Sequence, residues 1–152
     1  MALQVAQFVS IVLATLVAGM FFGPWLALHR SIATFEPEMF IALVRRLNRN
    51  MAPVMTALMP AALLAIGPVL LLAYGERPAV FLAALSALAL FGVALLVTMR
   101  IEVPIVRRIE TWTVATLPPD WQRLRDRWSA FHLVRIATAG AGLALLLGAA
   151  IF

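Results

Sequence analysis

Four stretches of the chain carry no charged residue and are long enough, at about 20 residues, to approach or exceed what a helix needs to cross a bilayer. They run over residues 5–28, 51–74, 79–99 and 136–152, with lengths of 24, 24, 21 and 17 residues. The last is short, so it borrows Leu133–Arg135 and becomes a span over residues 133–152. Unpaired backbone groups are expensive in hydrocarbon, so segments of this kind close their hydrogen bonds internally as helices. The pattern predicts an all-α fold, an integral membrane four-helix bundle built as a single transmembrane domain over residues 1–152. The first span resembles a signal peptide only superficially. Met1–Gln4 has no positive charge and the apolar run exceeds that of a usual leader, so it is read as a retained helix.

The two long connections are patterned too, and they predict two amphipathic helical extensions. Glu36-Pro37-Glu38 is a helix start, because proline suits the first helical position and acids suit the positive end of the helix dipole. Met39, Phe40, Leu43, Val44 and Leu47 follow at steps of three and four, which makes one apolar face. Arg45, Arg46 and Arg49 occupy the other side, with heads expected at lipid phosphates. A second start, Pro118-Pro119-Asp120, opens a long helix that runs on through the fourth span. Trp121, Leu124, Arg125, Trp128, His132 and Arg135 form one stripe along it. Trp121 and Trp128 are either interfacial anchors or walls of a pocket at the mouth of the bundle.

Composition sharpens this picture. Sixty-four per cent of residues are hydrophobic, 12% are charged and the mean hydropathy is +1.00. Soluble domains are roughly 45–50% apolar and about 25% charged. A water-soluble globular enzyme, a disordered tail and a free nucleic-acid binder are thereby excluded. The net charge of +5 comes from twelve arginines and no lysine. Arg30, Arg45, Arg46 and Arg49 lie between spans one and two, and Arg100, Arg107, Arg108, Arg123, Arg125 and Arg127 between spans three and four. The turn between spans two and three has Arg77 alone, and the ends of the chain have none. The positive-inside rule therefore puts both long connections in the cytoplasm and both termini outside the cell's inner (plasma) membrane. With no cysteine, disulfide and thiolate–metal chemistry are excluded.

Helices in lipid meet through small residues. Gly19 and Gly23, Ala83 and Ala87, Ala137 and Ala141, and Gly140 and Ala144 stand four apart and are expected at helix contacts. They serve equally well within one chain or between copies in a homo-oligomer. Pro53, Pro60 and Pro68 each remove a hydrogen bond from span two. The loss either opens a cavity at mid-membrane or reflects the general tolerance of membrane helices for proline.

Few residues can carry chemistry. His29 ends span one and His132 opens span four, so the topology brings both histidines to one face. An imidazole exchanges protons near neutral pH. Arg135 is one turn deeper than His132, where a charge either faces the bundle interior or snorkels outward. An inward guanidinium would stabilise an anion beside the imidazole. Asn48-Arg49-Asn50 heads span two and serves either as headgroup contacts or as part of the same mouth. Two histidines without a carboxylate cluster do not make a metal site, so neither a metal nor another cofactor is expected.

Three of these stretches resemble the anthrone oxygenase family of small four-span membrane proteins. They are Gly19-Met20-Phe21-Phe22-Gly23-Pro24-Trp25, then Leu47-Asn48-Arg49-Asn50-Met51-Ala52-Pro53 with its Asn-Arg signature, then the W-x-x-x-R-x-x-W-x-x-x-H-x-x-R pattern from Trp121 to Arg135. The last is the most specific, and the three follow the family's order along nearly the whole chain. In one place the chain departs from the family. Members often carry Val-Pro followed by one or two asparagines after span three, whereas here Val103-Pro104 leads into Ile105-Val106-Arg107-Arg108. The resemblance implies a four-span fold and, as in the fungal members, oxidation of an anthrone by O₂ without a known metal or flavin.

Two functions from different classes follow. One is a cofactor-independent oxygenase of a hydrophobic phenolic or polycyclic substrate arriving from membrane lipid. In it His132 is the base, Arg135 and Arg49 stabilise the anion and Asn48 orients it, while Trp25, His29, Asn50, Trp121 and Trp128 hold the ring system. The alternative is a non-catalytic membrane protein that binds a lipid or quinone or supports a partner complex. Topology is directly testable: a single cysteine at Glu76 should react with an impermeant maleimide in intact cells, and one at Thr113 only after lysis. Equal labelling of both in intact cells contradicts the assigned orientation.

Overall fold

The computed structural model describes all 152 residues. Five helices make up the fold: α1 (Ala2–Leu28), α2 (Pro37–Ala73), α3 (Pro78–Val97), α4 (Val103–Glu110) and α5 (Trp121–Ile151). A π-helical turn, Thr98–Glu102, joins α3 to α4 without a break, so this arm runs from Pro78 to Glu110. α1, α2, the α3–α4 arm and α5 are each long and apolar enough to cross a membrane, and the chain is a multi-pass membrane protein of all-α class. They pack up-down-up-down in a ring, α1 on α2, α2 on α3, α3 on α5 and α5 on α1. Glu36 caps α2 with Pro37 at its first position, as expected, and the amphipathic extension and span two form one continuous helix.

Two apolar cores result. The first lies within the spans, where Val17 and Phe21 of α1, Ile66 and Val69 of α2, Ala87, Phe91 and Ala94 of α3, and Ala139 and Leu146 of α5 are buried together. The second is made by the connections at the arginine-rich end, from Ile32, Phe40, Ile41, Val44, Ile105, Ile109, Trp112 and Trp121. The connections are therefore a packed layer, as their periodicity suggested, although Ile41 replaces Met39 on the buried face and Met39 is exposed. Arg45 also differs from expectation. It turns inward and donates to the Glu110 and Trp112 carbonyls, both at 2.7 Å, closing the C-terminal end of α4, while Arg46 and Arg49 are exposed.

Of the small-residue pairs, only Ala83 and Ala87 reach the close helix contact, through the buried Ala87. Gly19, Gly23, Ala137, Gly140, Ala141 and Ala144 face outward. The approach is instead made by Gly142, where an added Cβ would lie 2.9 Å from the Phe91 ring and 3.4 Å from the Ala87 carbonyl oxygen. Four-residue spacing repeats on every side of a helix whose residues are nearly all small, so spacing could not select the buried side. At the opposite end of the bundle the α2–α3 turn is closed by Gly75, whose φ of +76° is in the left-handed region that glycine occupies without strain. Span two is not interrupted by its prolines: α2 runs through Pro53, Pro60 and Pro68.

Gly142→Ala should force the buried Phe91 ring to move and destabilise the bundle by about 1–3 kcal/mol. Gly140→Ala, which meets no neighbour, should leave stability unchanged or slightly raised. Thermal unfolding in detergent distinguishes the two, and equal midpoints would disprove the assigned contact.

Candidate functional site

The site begins with a local irregularity. Pro104 has no N–H, and its ring opposes the carbonyl four residues earlier, so one hydrogen bond of the α-helical ladder is lost at this point. The backbone responds with a wider turn, in which the Val103 N–H reaches back five residues to the Thr98 carbonyl. The extra residue changes which side chains face inward and carries Glu102 into the bundle, leaving its side chain 5% exposed.

Glu102 meets Arg135, which projects inward from α5. Arg135 Nη1 is 2.5 Å from Glu102 Oε2 and also donates to Thr98 Oγ1 at 3.1 Å. The guanidinium lies over the Phe21 ring, 4.3 Å from its centroid. Arg135 thus does not snorkel. An arginine this deep requires a counter-charge, and Glu102 supplies it.

His132 is locked between two partners. Its Nε2 is 2.9 Å from the Phe21 carbonyl oxygen, which can only accept, so Nε2 bears the proton. Nδ1 then accepts from Arg135 Nη2 at 2.8 Å. The Nε2–H tautomer satisfies both hydrogen bonds of the ring. Pro24 contributes on the facing helix, because it lacks the N–H that would close onto Met20 and so leaves this turn of α1 one hydrogen bond short. Two buried atoms remain without partners: Glu102 Oε1, 3.6 Å from His132 Nδ1, and Arg135 Nε.

These residues form one wall of a cavity of about 680 Å³ bounded by α1, α2, the α3–α4 arm and α5. The rest of the wall is soft and apolar. Met20, Met51, Met55, Met59 and Met99 line it, and methionine adapts its shape to irregular ligands. Along α2 the lining residues Asn48, Met51, Ala52, Met55, Thr56, Met59 and Pro60 follow a helical stripe. Thr56, Pro60 and Met99 are both lining and exposed, so the cavity opens sideways between α2 and the α3–α4 arm, at the height where lipid would lie. A second polar group stands nearer the arginine-rich end, where Asn48 Nδ2 donates to Glu110 Oε1 at 2.7 Å.

Of the residues singled out in the sequence, the fold brings His132, Arg135, Asn48 and Trp128 to this cavity. It does not bring the others. Arg49 and Asn50 are exposed and line no part of it. α2 is a continuous helix, so each residue is turned by about 100° from the one before, and Asn48 takes the inward position. Trp25 and His29 stack on one another with ring centroids 4.3 Å apart. They line a separate cleft of about 20 Å³, with Pro24, Trp128 and His132 as the partition between it and the cavity. Trp121 belongs to the second core, 5.8 Å from the Phe40 ring, with Arg125 5.3 Å above its face. The stripe from Trp121 to Arg135 extends about 21 Å along α5, too far for all of it to serve one pocket.

Sequence reasoning missed Glu102, Thr98 and the methionine wall. The signals were present: an acid at the end of an apolar span, two residues before a proline, and methionines spaced by four on α2.

A sequence model of the family described as anthrone oxygenase matches residues 45–145, about two thirds of the chain. The chain belongs to the anthrone oxygenase family. No curated protein and no solved structure matches it. In this anthrone oxygenase family member the matched segment includes Asn48, Glu102, Trp128, His132 and Arg135, whereas Trp25 and His29 fall outside it.

Arg135→Leu should destabilise the protein by about 3–5 kcal/mol, because it strands a buried carboxylate, and the double variant Glu102→Leu/Arg135→Leu should recover most of that loss. Unfolding midpoints in detergent measure this. A double variant no more stable than Arg135→Leu would show that the two charges do not act as a pair.

Proposed function

We propose that this protein is a cofactor-independent oxygenase of a hydrophobic phenolic or polycyclic substrate of the anthrone type. Membership of the anthrone oxygenase family supports the reaction class. The observation that carries the reading is the cavity: about 680 Å³, walled by methionines, with a buried carboxylate, guanidinium and imidazole on one side. Ligand sites of roughly 300–1,000 Å³ with mostly apolar walls and a few convergent polar groups accommodate ligands of drug size. A flat tricyclic ring system falls within that range.

The chemistry is simple in outline. Anthrones and electron-rich phenols become, on loss of one proton, anions that give an electron to O₂ directly. The protein must therefore hold the substrate, accept the proton and stabilise the anion. The substrate enters from lipid through the lateral opening. Arg135 stabilises the anion and Trp128 offers an aromatic edge to the ring. Asn48 orients the far end of the substrate. The proton acceptor belongs to the Glu102–His132 pair. The excess of arginine at one end supports a place in the cell's inner (plasma) membrane with that end in the cytoplasm.

Purified protein in detergent, supplied with an anthrone such as dithranol, should consume one O₂ for each anthrone converted and yield the anthraquinone. Met55→Trp, which fills the cavity, should lower this rate at least tenfold with little change in unfolding temperature. O₂ uptake no faster than in protein-free detergent contradicts the reading, and a retained lipid or quinone in native mass spectra would then favour the binding protein.

A further inference from the structure

The two unpartnered atoms of the site sit on the two halves of a single ion pair, and they are complementary. Glu102 Oε1 is an acceptor with nothing to accept, and Arg135 Nε–H is a donor with nothing to receive it. Buried polar groups are nearly always paired, and exceptions need a reason. Both residues line the cavity, and the two atoms lie just beneath its surface, so a substrate reaches them by displacing the side chains that cover them. From this pairing we infer that Glu102 is the proton acceptor of the reaction, that Arg135 Nε binds the oxygen of an enolisable ketone or phenol, and that His132 is a positioning residue. This inference rests on the oxygenase reading and deepens it.

The hydrogen bonds of His132 argue against its being the base. Both nitrogens are occupied, Nε2 by the Phe21 carbonyl and Nδ1 by Arg135. To accept a proton at Nδ1, the ring would have to displace the guanidinium and become a cation beside it. Glu102 keeps its ion pair in the same step, because Oε2 holds Arg135 while Oε1 has no partner. The contribution of His132 is to anchor Arg135 to α1 through the Phe21 carbonyl, which fixes where the Nε–H points.

Charge balance favours the same assignment. Before reaction the positive charge of Arg135 is balanced by Glu102. The substrate C–H (or phenolic O–H) bond breaks, its proton forms an O–H bond on Oε1, and the electron pair stays on the substrate as an enolate or phenolate. The negative charge moves from the carboxylate to the substrate oxygen, still beside Arg135, so no net charge is created in a low-dielectric cavity. O₂ then takes one electron from the anion. The resulting radical pair combines to form a C–O bond. The peroxide so formed takes back the proton from Glu102 and, with loss of the second C–H proton, eliminates water to leave a carbonyl. An anthrone CH₂ and O₂ thereby become C=O and H₂O, with the carboxylate regenerated.

Anaerobic addition of dithranol to the wild-type protein tests the step without any variant. The absorbance of the anthranolate should rise together with an infrared carboxylic-acid C=O band that shifts in D₂O, and in Glu102→Asp the position of that band should change. Anion formation without a new acid band would overturn the assignment. With O₂ present, Glu102→Gln should lower turnover at least 100-fold while dithranol still quenches tryptophan fluorescence. Turnover should return to within tenfold of wild type at a pH where dithranol is itself ionised. His132→Gln, whose amide can still donate to the Phe21 carbonyl, should lose no more than tenfold. Overturning results are a Glu102→Gln protein that keeps more than a tenth of wild-type turnover, a defect that persists with ionised substrate, or a larger loss in His132→Gln than in Glu102→Gln. Wild-type protein that consumes no O₂ with dithranol and forms no anion would instead contradict the oxygenase reading itself.

Discussion

The buried ion pair between Glu102 and Arg135 organises the arginine-rich half of the bundle. A guanidinium this deep among apolar helices is tolerated only with a counter-charge within hydrogen-bond reach, and the carboxylate must come from a facing helix. The π turn just ahead of Pro104 makes that possible, because it rotates Glu102 inward. Once the pair forms, Arg135 holds Nδ1 of His132, and His132 in turn bonds the Phe21 carbonyl. Three helices are thereby tied at one level by polar contacts, in a chain with only 12% charged residues. Such contacts fix register where lipid-like apolar packing alone would allow helices to slide.

The cavity is a consequence of how the two cores meet. The core of the spans is built largely from alanine and valine, which bring helices close. The core of the connections is built around Phe40, Trp112 and Trp121, which hold them apart. Between these layers Val44 of the second core and Phe21 and Met59 of the first line the same empty volume. Five methionines border it, so that part of the wall is deformable, while the polar side is held by the ion pair. A soft apolar wall facing a fixed polar one suits a substrate recognised by one reactive group rather than by its whole outline.

Four spans, the helix start at Pro37 and the long helix from Trp121 to Ile151 followed from where charges and prolines stand, because hydrocarbon admits almost nothing but helix, whereas the unbroken run of the Pro37 helix into span two came from the structure. His132, Arg135 and Trp128 were legible as one stripe because α-helical spacing places them so. Arg49 and Asn50 were not separable from Asn48, since three adjacent polar residues carry no periodicity to say which faces in. The buried sides of α1 and α5 were equally hidden, because small residues surround both helices and only Gly142 finds a neighbour in Phe91.

The number of spans, their order along the chain and the identity of the family were written in local chemistry, which depends on each residue and its near neighbours alone. Which polar groups meet was settled by packing between helices distant in the chain. Glu102 and Arg135 are separated by 33 positions, and no local pattern links them. They find each other because an unbalanced charge is intolerable inside an apolar bundle and a turn widened by one residue puts a counter-charge within reach.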